Sequence, residues 1–446
     1  MSKSIKFDDI KNYQSDLDKR SDAKLVGRAV SHQGVNAVSA NYSSEIANKP
    51  VFSIELETGD VANQKRSGRC WTFAALNTLR HRVANEFNLK GNFELSQNYI
   101  NFWDKFEKSN FFLENILNTA NKKRTSRKVA FLLATPQQDG GQWDMLCALV
   151  EKYGVVPQSA MAETYNSNNS ADLNSVLNLK LRRDAVILRN LVNDGADKDK
   201  IAAQKDQMLN EIYRILVYAL GEPAKHFDFE YRDKDNKYHI AKDLTPKKFY
   251  EKYIQLDLED YVSLINSPTD DKPYKKTYTV ELLGNVVGGR QVKHLNLSID
   301  DFEKLAIKQL KNGETVWFGS DVGQASDRQK GIMDDKLYSR AELFDTDLDL
   351  TKAEQLDYSE SMMDHAMVIT GVDIVDGKPT KWKVENSWGN KVGNNGYFVM
   401  SESWFRKYVY QIVINKKYLS DDLKKAQAQD PILLDPWDPM GTLAKF

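Results

Sequence analysis

The chain has 446 residues, 41% hydrophobic and 28% charged, with 62 Lys plus Arg against 63 Asp plus Glu. This balance supplies no basic field for nucleic acid and no acidic solvating tail, and the composition suits a globular protein with a sizeable core. Two cysteines, Cys70 and Cys147, exclude a disulfide framework and fit a reducing compartment, while the absence of a signal-like start and of any run of roughly 18 apolar residues makes a cytoplasmic address the expectation.

The first 60 residues mix polar segments with a strand-like Val51-Phe-Ser-Ile-Glu-Leu and a turn at Thr58-Gly59-Asp60. From Arg69 the pattern turns helical: Phe73, Leu76, Arg80, Val83 and Phe87 step by three and four, and Ser67-Gly68 stands ahead as an N-terminal stop. A second block runs from Phe93 to about Tyr165, with Asp139-Gly140-Gly141 before a helical Trp143–Tyr153 segment. The block of about 166–300 is richer in charge. It carries one stripe of Leu177, Leu181, Ala185 and Leu188, and another of Met208, Ile212, Leu216 and Ala219 ended by Gly221 and Pro223.

Alternating Phe227, Phe229 and Tyr231 then lead through Asp233-Lys-Asp-Asn-Lys to Tyr238 and Ile240 as a hairpin, and Thr245-Pro246 has the form of a helix start. The block reads as a mainly helical insertion. Beyond 300, Val316-Trp-Phe, Met367-Val-Ile, Trp382-Lys-Val and Tyr397-Phe-Val-Met are short strands, and Pro431 to Phe446 reads as an extended arm rather than a core element.

Cys70 falls in the first turn of its helix, where unpaired N–H groups favour thiolate, so its pKa is expected below the free value of about 8.5. Cys147, in apolar Met145-Leu-Cys-Ala-Leu-Val, reads as core. Gln64, six residues before Cys70, can donate an amide N–H to an oxyanion beside the Cys70 N–H. His81 lies roughly 16 Å along the same helix and is too far to exchange a proton with Cys70. His32, His226, His239 and His294 sit in polar segments and read as structural. His365 heads a strand, Asp364-His-Ala-Met-Val-Ile, and Asn386 ends the next in Glu385-Asn-Ser-Trp-Gly389, where it can orient the imidazole while Trp388 covers the bond.

Gln64-x5-Cys70-Trp71, His365-Ala366 and Asn386-Ser387-Trp388-Gly389, in that order, resemble a papain-type cysteine protease. The Cys-to-His separation is 295 residues, against about 130 to 150 in ordinary members, and the excess matches the helical block. Both this insertion and the lack of disulfides make the chain similar to the bleomycin hydrolase and bacterial aminopeptidase C family. That resemblance runs nearly end to end through Gln64–Trp71, Asp139–Met145, Glu151–Pro157, Val316–Gly319, Lys383–Gly389 and Trp437–Gly441.

The resemblance implies an α+β, papain-like core of two subdomains, with a helical hook insertion, a C-terminal arm and a homohexamer. The expected division is 1–60 as an N-terminal segment packing on the core, 61–165 as the helical half, 166–300 as the insertion, 301–430 as the β-rich half and 431–446 as an arm in the cleft. It also implies a thiol aminopeptidase acting on peptides with no cofactor or metal, and with catalytic Cys70, His365 and Asn386 and Gln64 at the oxyanion. Gly140 and Gly141 would admit a substrate backbone, with Trp388 and Ala444 at the substrate. The chain's carboxylate would select a free substrate amine, and Lys445-Phe446 departs from the expected end of the arm, so trimming to Ala444 or Lys445 is a further expectation. The alternatives are an endopeptidase of the same family, a DNA-binding cage lined by Arg124, Arg127 and Lys128, against which the charge balance weighs, and a structural pseudoenzyme, against which the complete residue set weighs.

Overall fold

The computed structural model describes residues 4–445. Its helical half is organised by the helix Cys70–Glu86, which packs against Gln97–Asn118, Trp143–Tyr153 and the sheet. Phe73, Leu76, Arg80 and Val83 are buried as their spacing requires, and almost the whole first half of this helix is enclosed. The expected Ser67 stop does not cap it. Arg69 occupies the cap position without a side-chain bond, and Ser67 Oγ donates instead to the Gln64 carbonyl at 2.7 Å.

The two amphipathic stripes form the long helices Ala171–Asn193 and Lys198–Leu220. Leu177, Leu181, Ala185 and Leu188 are buried on the first, and Met208, Ile212 and Leu216 on the second, where Leu220 rather than Ala219 completes the buried face. Gly221 ends that helix with φ of 89°, a left-handed conformation natural only to glycine. The hairpin Phe227–Arg232 and Tyr238–Leu244 follows, and Thr245 caps the turn begun by Pro246 by accepting the Lys248 N–H at 3.3 Å.

Twelve strands among the described residues form one mixed sheet. At its centre His365–Val375 pairs antiparallel with both Val316–Ser320 and Lys378–Glu385, and Val316–Ser320 pairs with Val409–Asn415. The reading of 166–300 as an insertion extends too far. Tyr261–Ile265, Thr277–Val280 and His294–Asn296 are strands of this same sheet, with Tyr261–Ile265 antiparallel to Val409–Asn415. All twelve residues of these strands are buried, so they lack the polar alternation that marks a strand on a solvated surface.

Of two further expectations, the first is narrowed and the second corrected. In the N-terminal segment the helices Phe7–Asp18 and Ala23–Gln33 contribute no buried residue, although Ile54–Glu55 pairs with the His365 strand. The C-terminal segment is not an extended arm outside the core. Ile432–Leu434 adds a parallel strand beside Thr277–Val280, and Pro439–Lys445 winds into a 3-10 helix whose Met440, Leu443 and Ala444 join the larger hydrophobic cluster. Two hydrophobic clusters result. One joins the helices, the segment around Cys70 and the C-terminal turn; the other lies between the sheet and helix Ile299–Lys311, around Phe302, Trp382, Trp404 and Phe405.

Candidate active site

Cys70 opens its helix, and its thiol receives the backbone N–H of Ala366, the residue that follows His365 at the head of the central strand. The two chain halves therefore meet at this sulfur. His365 Nε2 lies 2.9 Å from Asn386 Oδ1, and the same oxygen accepts the Ser387 N–H at 2.8 Å. The second contact fixes which amide atom faces the ring. With oxygen there, Nε2 must carry the hydrogen, so the neutral imidazole presents Nδ1 as its lone pair. Trp388 stacks on the imidazole with centroids 4.9 Å apart and planes at 29°, and the Arg328 guanidinium lies 4.5 Å from the Trp388 ring centre.

Gln64 is locked at both ends of its amide. Its Nε2 donates to the Ser67 carbonyl at 2.7 Å, its Oε1 accepts from Ser387 Oγ at 2.5 Å, and its backbone N–H reaches the Ser387 carbonyl at 2.8 Å. This ties the segment before Cys70 to the segment after Asn386. Of the two Nε2 hydrogens, one is held by Ser67 and the other remains for a ligand.

The electrostatics correct the expected low thiol pKa. Burial pushes Cys70 up to about 12, outweighing the N–H groups of Ala366, Trp71 and Cys70 that favour the anion. Burial also lowers His365 to about 4. Asp364, next to His365, is raised to about 7, first by burial and then by Asp321. Burial thus favours the neutral form of both the thiol and the imidazole. The helix N-terminus is present as expected, but desolvation is the larger effect.

At Gly141 packing by itself calls for glycine. A Cβ on Gly141 would stand 2.5 Å from Cε2 of Trp71, so the glycine is required by the close approach of that indole. The Gly140 carbonyl accepts from Lys108 Nζ at 2.5 Å. Trp71 is itself fixed, with its Nε1 donating to the Asp139 carbonyl at 2.7 Å and its carbonyl accepting from Trp317 Nε1 at 3.2 Å. The Asp139 carboxylate takes the Gly68 N–H at 2.9 Å and Lys105 Nζ at 2.7 Å, and Lys105, with Ser170 and Asn174, holds it well below the usual carboxylate range despite its burial.

Ala444 is buried beside an apolar cavity of 170 Å³ lined also by Lys108, Gln138, Met145, Val280 and Gly284. The 3-10 turn that carries it bridges two walls. Gln142 Nε2 lies 3.4 Å from the Met440 carbonyl, and Thr442 Oγ1 donates at 2.8 Å to the carbonyl of Met363, two residues before His365. The expectation for the end of the arm falls on Phe446, outside the described residues.

The remaining candidates are committed elsewhere. His81 Nε2 is 2.9 Å from Glu385 Oε2, Cys147 is core, and His294 Nδ1 pairs with Ser263 Oγ at 2.7 Å. Of the basic residues considered for nucleic acid, Arg127 lies over the Trp437 ring at 3.5 Å and Lys128 pairs with Glu281 at 2.6 Å. No helix among the described residues is long and apolar enough to cross a membrane. Sequence reasoning missed Asp139, Arg69 and Glu385, although all three stand within motifs it singled out. Glu163 carries no sequence signal of its own.

The sequence profile of the Peptidase C1-like family matches residues 4–441. The chain is 56% identical to Aminopeptidase C of Lactobacillus helveticus, over 100% of this chain and 99% of that one, and 52% identical to Aminopeptidase C of Listeria monocytogenes, over the full length of both. The solved structure of PepW from Lactobacillus rhamnosis HN001 superposes with a TM-score of 0.98 at 61% identity, covering 99% of each chain. A match of this extent, on a mixed α+β fold with the Cys70 helix set against the His365 strand, establishes that the chain belongs to the Peptidase C1-like family.

Proposed function

We propose that this chain is a thiol aminopeptidase that removes N-terminal residues from peptides through Cys70, His365, Asn386 and Gln64. The observation that carries the reading is the bond from His365 Nε2 to Asn386 Oδ1, which leaves Nδ1 as a base while the Cys70 thiol rests against the N–H of Ala366. Burial favours both groups neutral, so proton transfer accompanies attack. Nδ1 accepts the thiol proton as sulfur bonds to the scissile carbonyl carbon. The resulting oxyanion accepts the Cys70 N–H and the uncommitted N–H of Gln64 Nε2. The C–N bond then breaks as the imidazolium returns its proton to the leaving amine. Water, deprotonated by His365, attacks the thioester, and departure of the thiolate frees the acid.

The C-terminal turn supplies the exopeptidase character. Its position between Gln142 and Met363 supports an arm that occludes the cleft on the side where a longer chain would extend, and a carboxylate at its end would pair with the substrate ammonium. A homohexamer belongs to the same proposal. It is supported by the helix Phe7–Asp18, whose Phe7, Ile10, Tyr13 and Leu17 are all exposed and, at helical spacing, share one face. With two free cysteines and no disulfide among the described residues, the enzyme suits a reducing compartment such as the cytoplasm.

Free and N-terminally blocked aminoacyl fluorogenic substrates, assayed with and without a thiol alkylator on full-length and tail-truncated chains, test this reading. Full-length enzyme should cleave only the free-amine substrate, alkylation should abolish cleavage, and truncation should admit the blocked one. Equal cleavage of both substrates by the full-length chain would refute the aminopeptidase assignment in favour of an endopeptidase.

A further inference from the structure

Arg69 precedes Cys70 and is only 1% exposed. Its guanidinium meets Glu163 fork to fork, with Nη1 to Oε1 at 3.1 Å and Nη2 to Oε2 at 2.7 Å, and its face lies 5.2 Å from the Phe73 ring centre. Ser167 Oγ donates to Glu163 Oε2 at 2.7 Å and so anchors the carboxylate from the far side. The remaining guanidinium nitrogen, Nε, donates to Ser67 Oγ at 2.9 Å. Ser67 in turn grips Gln64 twice, through Oγ to its backbone carbonyl and through its own carbonyl to Nε2, both at 2.7 Å. A continuous chain of bonds therefore runs from Glu163 through Arg69 and Ser67 to the Gln64 amide. The Arg69–Cys70 peptide carries the other oxyanion donor, the Cys70 N–H.

We propose that Arg69 and Glu163 are positioning residues that set the direction of both oxyanion donors. The inference rests on the reading of Gln64 as one of those donors. A planar guanidinium held by two parallel bonds has little freedom to rotate, so it transmits the place of Glu163 to the loop in a way an ammonium would not. A buried ion pair could instead only hold the loop folded, and the two roles differ in what they do to the reaction. Formation of a tetrahedral intermediate needs the donors aligned. Alkylation of the thiol by iodoacetamide, a displacement at saturated carbon, develops no oxyanion and does not.

The test compares Glu163→Gln, Arg69→Lys, Gln64→Ala and the double variant Glu163→Gln/Gln64→Ala by kcat, KM, Cys70 alkylation rate and thermal midpoint. Gln64→Ala should lower kcat about 100-fold or more. Glu163→Gln and Arg69→Lys should each lower it about 10- to 100-fold through misdirected donors, with KM and alkylation rate changed less than about twofold. In the Gln64→Ala background Glu163→Gln should cost less than it does alone, because one of the two donors it directs is gone and only the Cys70 N–H remains to be misdirected. Fully additive losses, an alkylation rate falling in step with kcat, or an unchanged kcat in both single variants would overturn the positioning role. An unchanged kcat for Gln64→Ala would instead sink the donor assignment itself. Should Glu163→Gln fail to fold, Arg69→Lys, alone and with Gln64→Ala, carries the same comparison.

Discussion

Replacing Glu385 by Gln removes the negative charge from a buried ionic cluster near the site. The Glu385 side chain is fully buried, and its Oε1 accepts Asn77 Nδ2 and Arg80 Nη2, each at 2.9 Å, while Oε2 accepts His81 Nε2 at 2.9 Å. All three donors lie on the Cys70 helix, and Glu385 immediately precedes Asn386, so the cluster rivets the helix of the thiol to the strand end that orients the imidazole. Arg80, 2% exposed, keeps other contacts with the Asp60 and Phe93 carbonyls and Asn92, but these carry no negative charge. Its guanidinium would be left as an uncompensated buried cation, which costs about 3 to 5 kcal/mol. A chain of this length unfolds with an entropy near 0.9 kcal/mol/K if it unfolds cooperatively, so the thermal midpoint should fall by about 3 to 5 °C. Differential scanning fluorimetry at fixed protein concentration reads this directly. Adding Arg80→Met removes the orphaned cation, and the double variant should recover much of the loss. A midpoint within 1 °C of wild type for Glu385→Gln, or a double variant as unstable as the sum of its singles, would refute the reasoning.

Gly141→Ala should destabilise by about 1 to 3 kcal/mol and lower kcat, because the new methyl meets a Trp71 ring pinned at Nε1 and at its carbonyl; urea unfolding and steady-state kinetics check both. His294, buried with Nδ1 on Ser263 Oγ, has its pKa lowered to about 4 from 6.5 by burial. Above pH 6.5 it is neutral folded or unfolded, but between about 6.5 and 4 only the unfolded chain takes up the proton, so stability declines by about 3 kcal/mol as pH falls through that window. His294→Gln should flatten the difference in stability between pH 7 and pH 4.5 in chemical denaturation, and an unchanged slope would discount the buried imidazole. Substituting Asp for both Phe7 and Ile10 should shift light-scattering mass toward monomer without lowering the thermal midpoint of the isolated subunit; an unchanged mass would detach that helix from assembly.

Local patterns in the chain determined much of this protein. Period-3.6 stripes located the helices Ala171–Asn193 and Lys198–Leu220, and Thr245-Pro246 marked a helix start, because amphipathic spacing and capping are decided within a few residues. Gln64, Cys70, His365 and Asn386 were legible as candidates because each stands in a distinctive motif. Tertiary structure alone decided the rest. The strands Tyr261–Ile265, Thr277–Val280 and His294–Asn296 were hidden because strands buried on every side show no alternation. The C-terminal turn became core only by finding partners near Met363 and Gln142, far away along the chain. Arg69 could be paired with Glu163 only once the fold closed a separation of 94 positions along the chain. The thiol's protonation was decided last and by the same cause. A helix N-terminus is a property of neighbouring residues, but the desolvation that outweighs it is the work of distant segments packed over the sulfur.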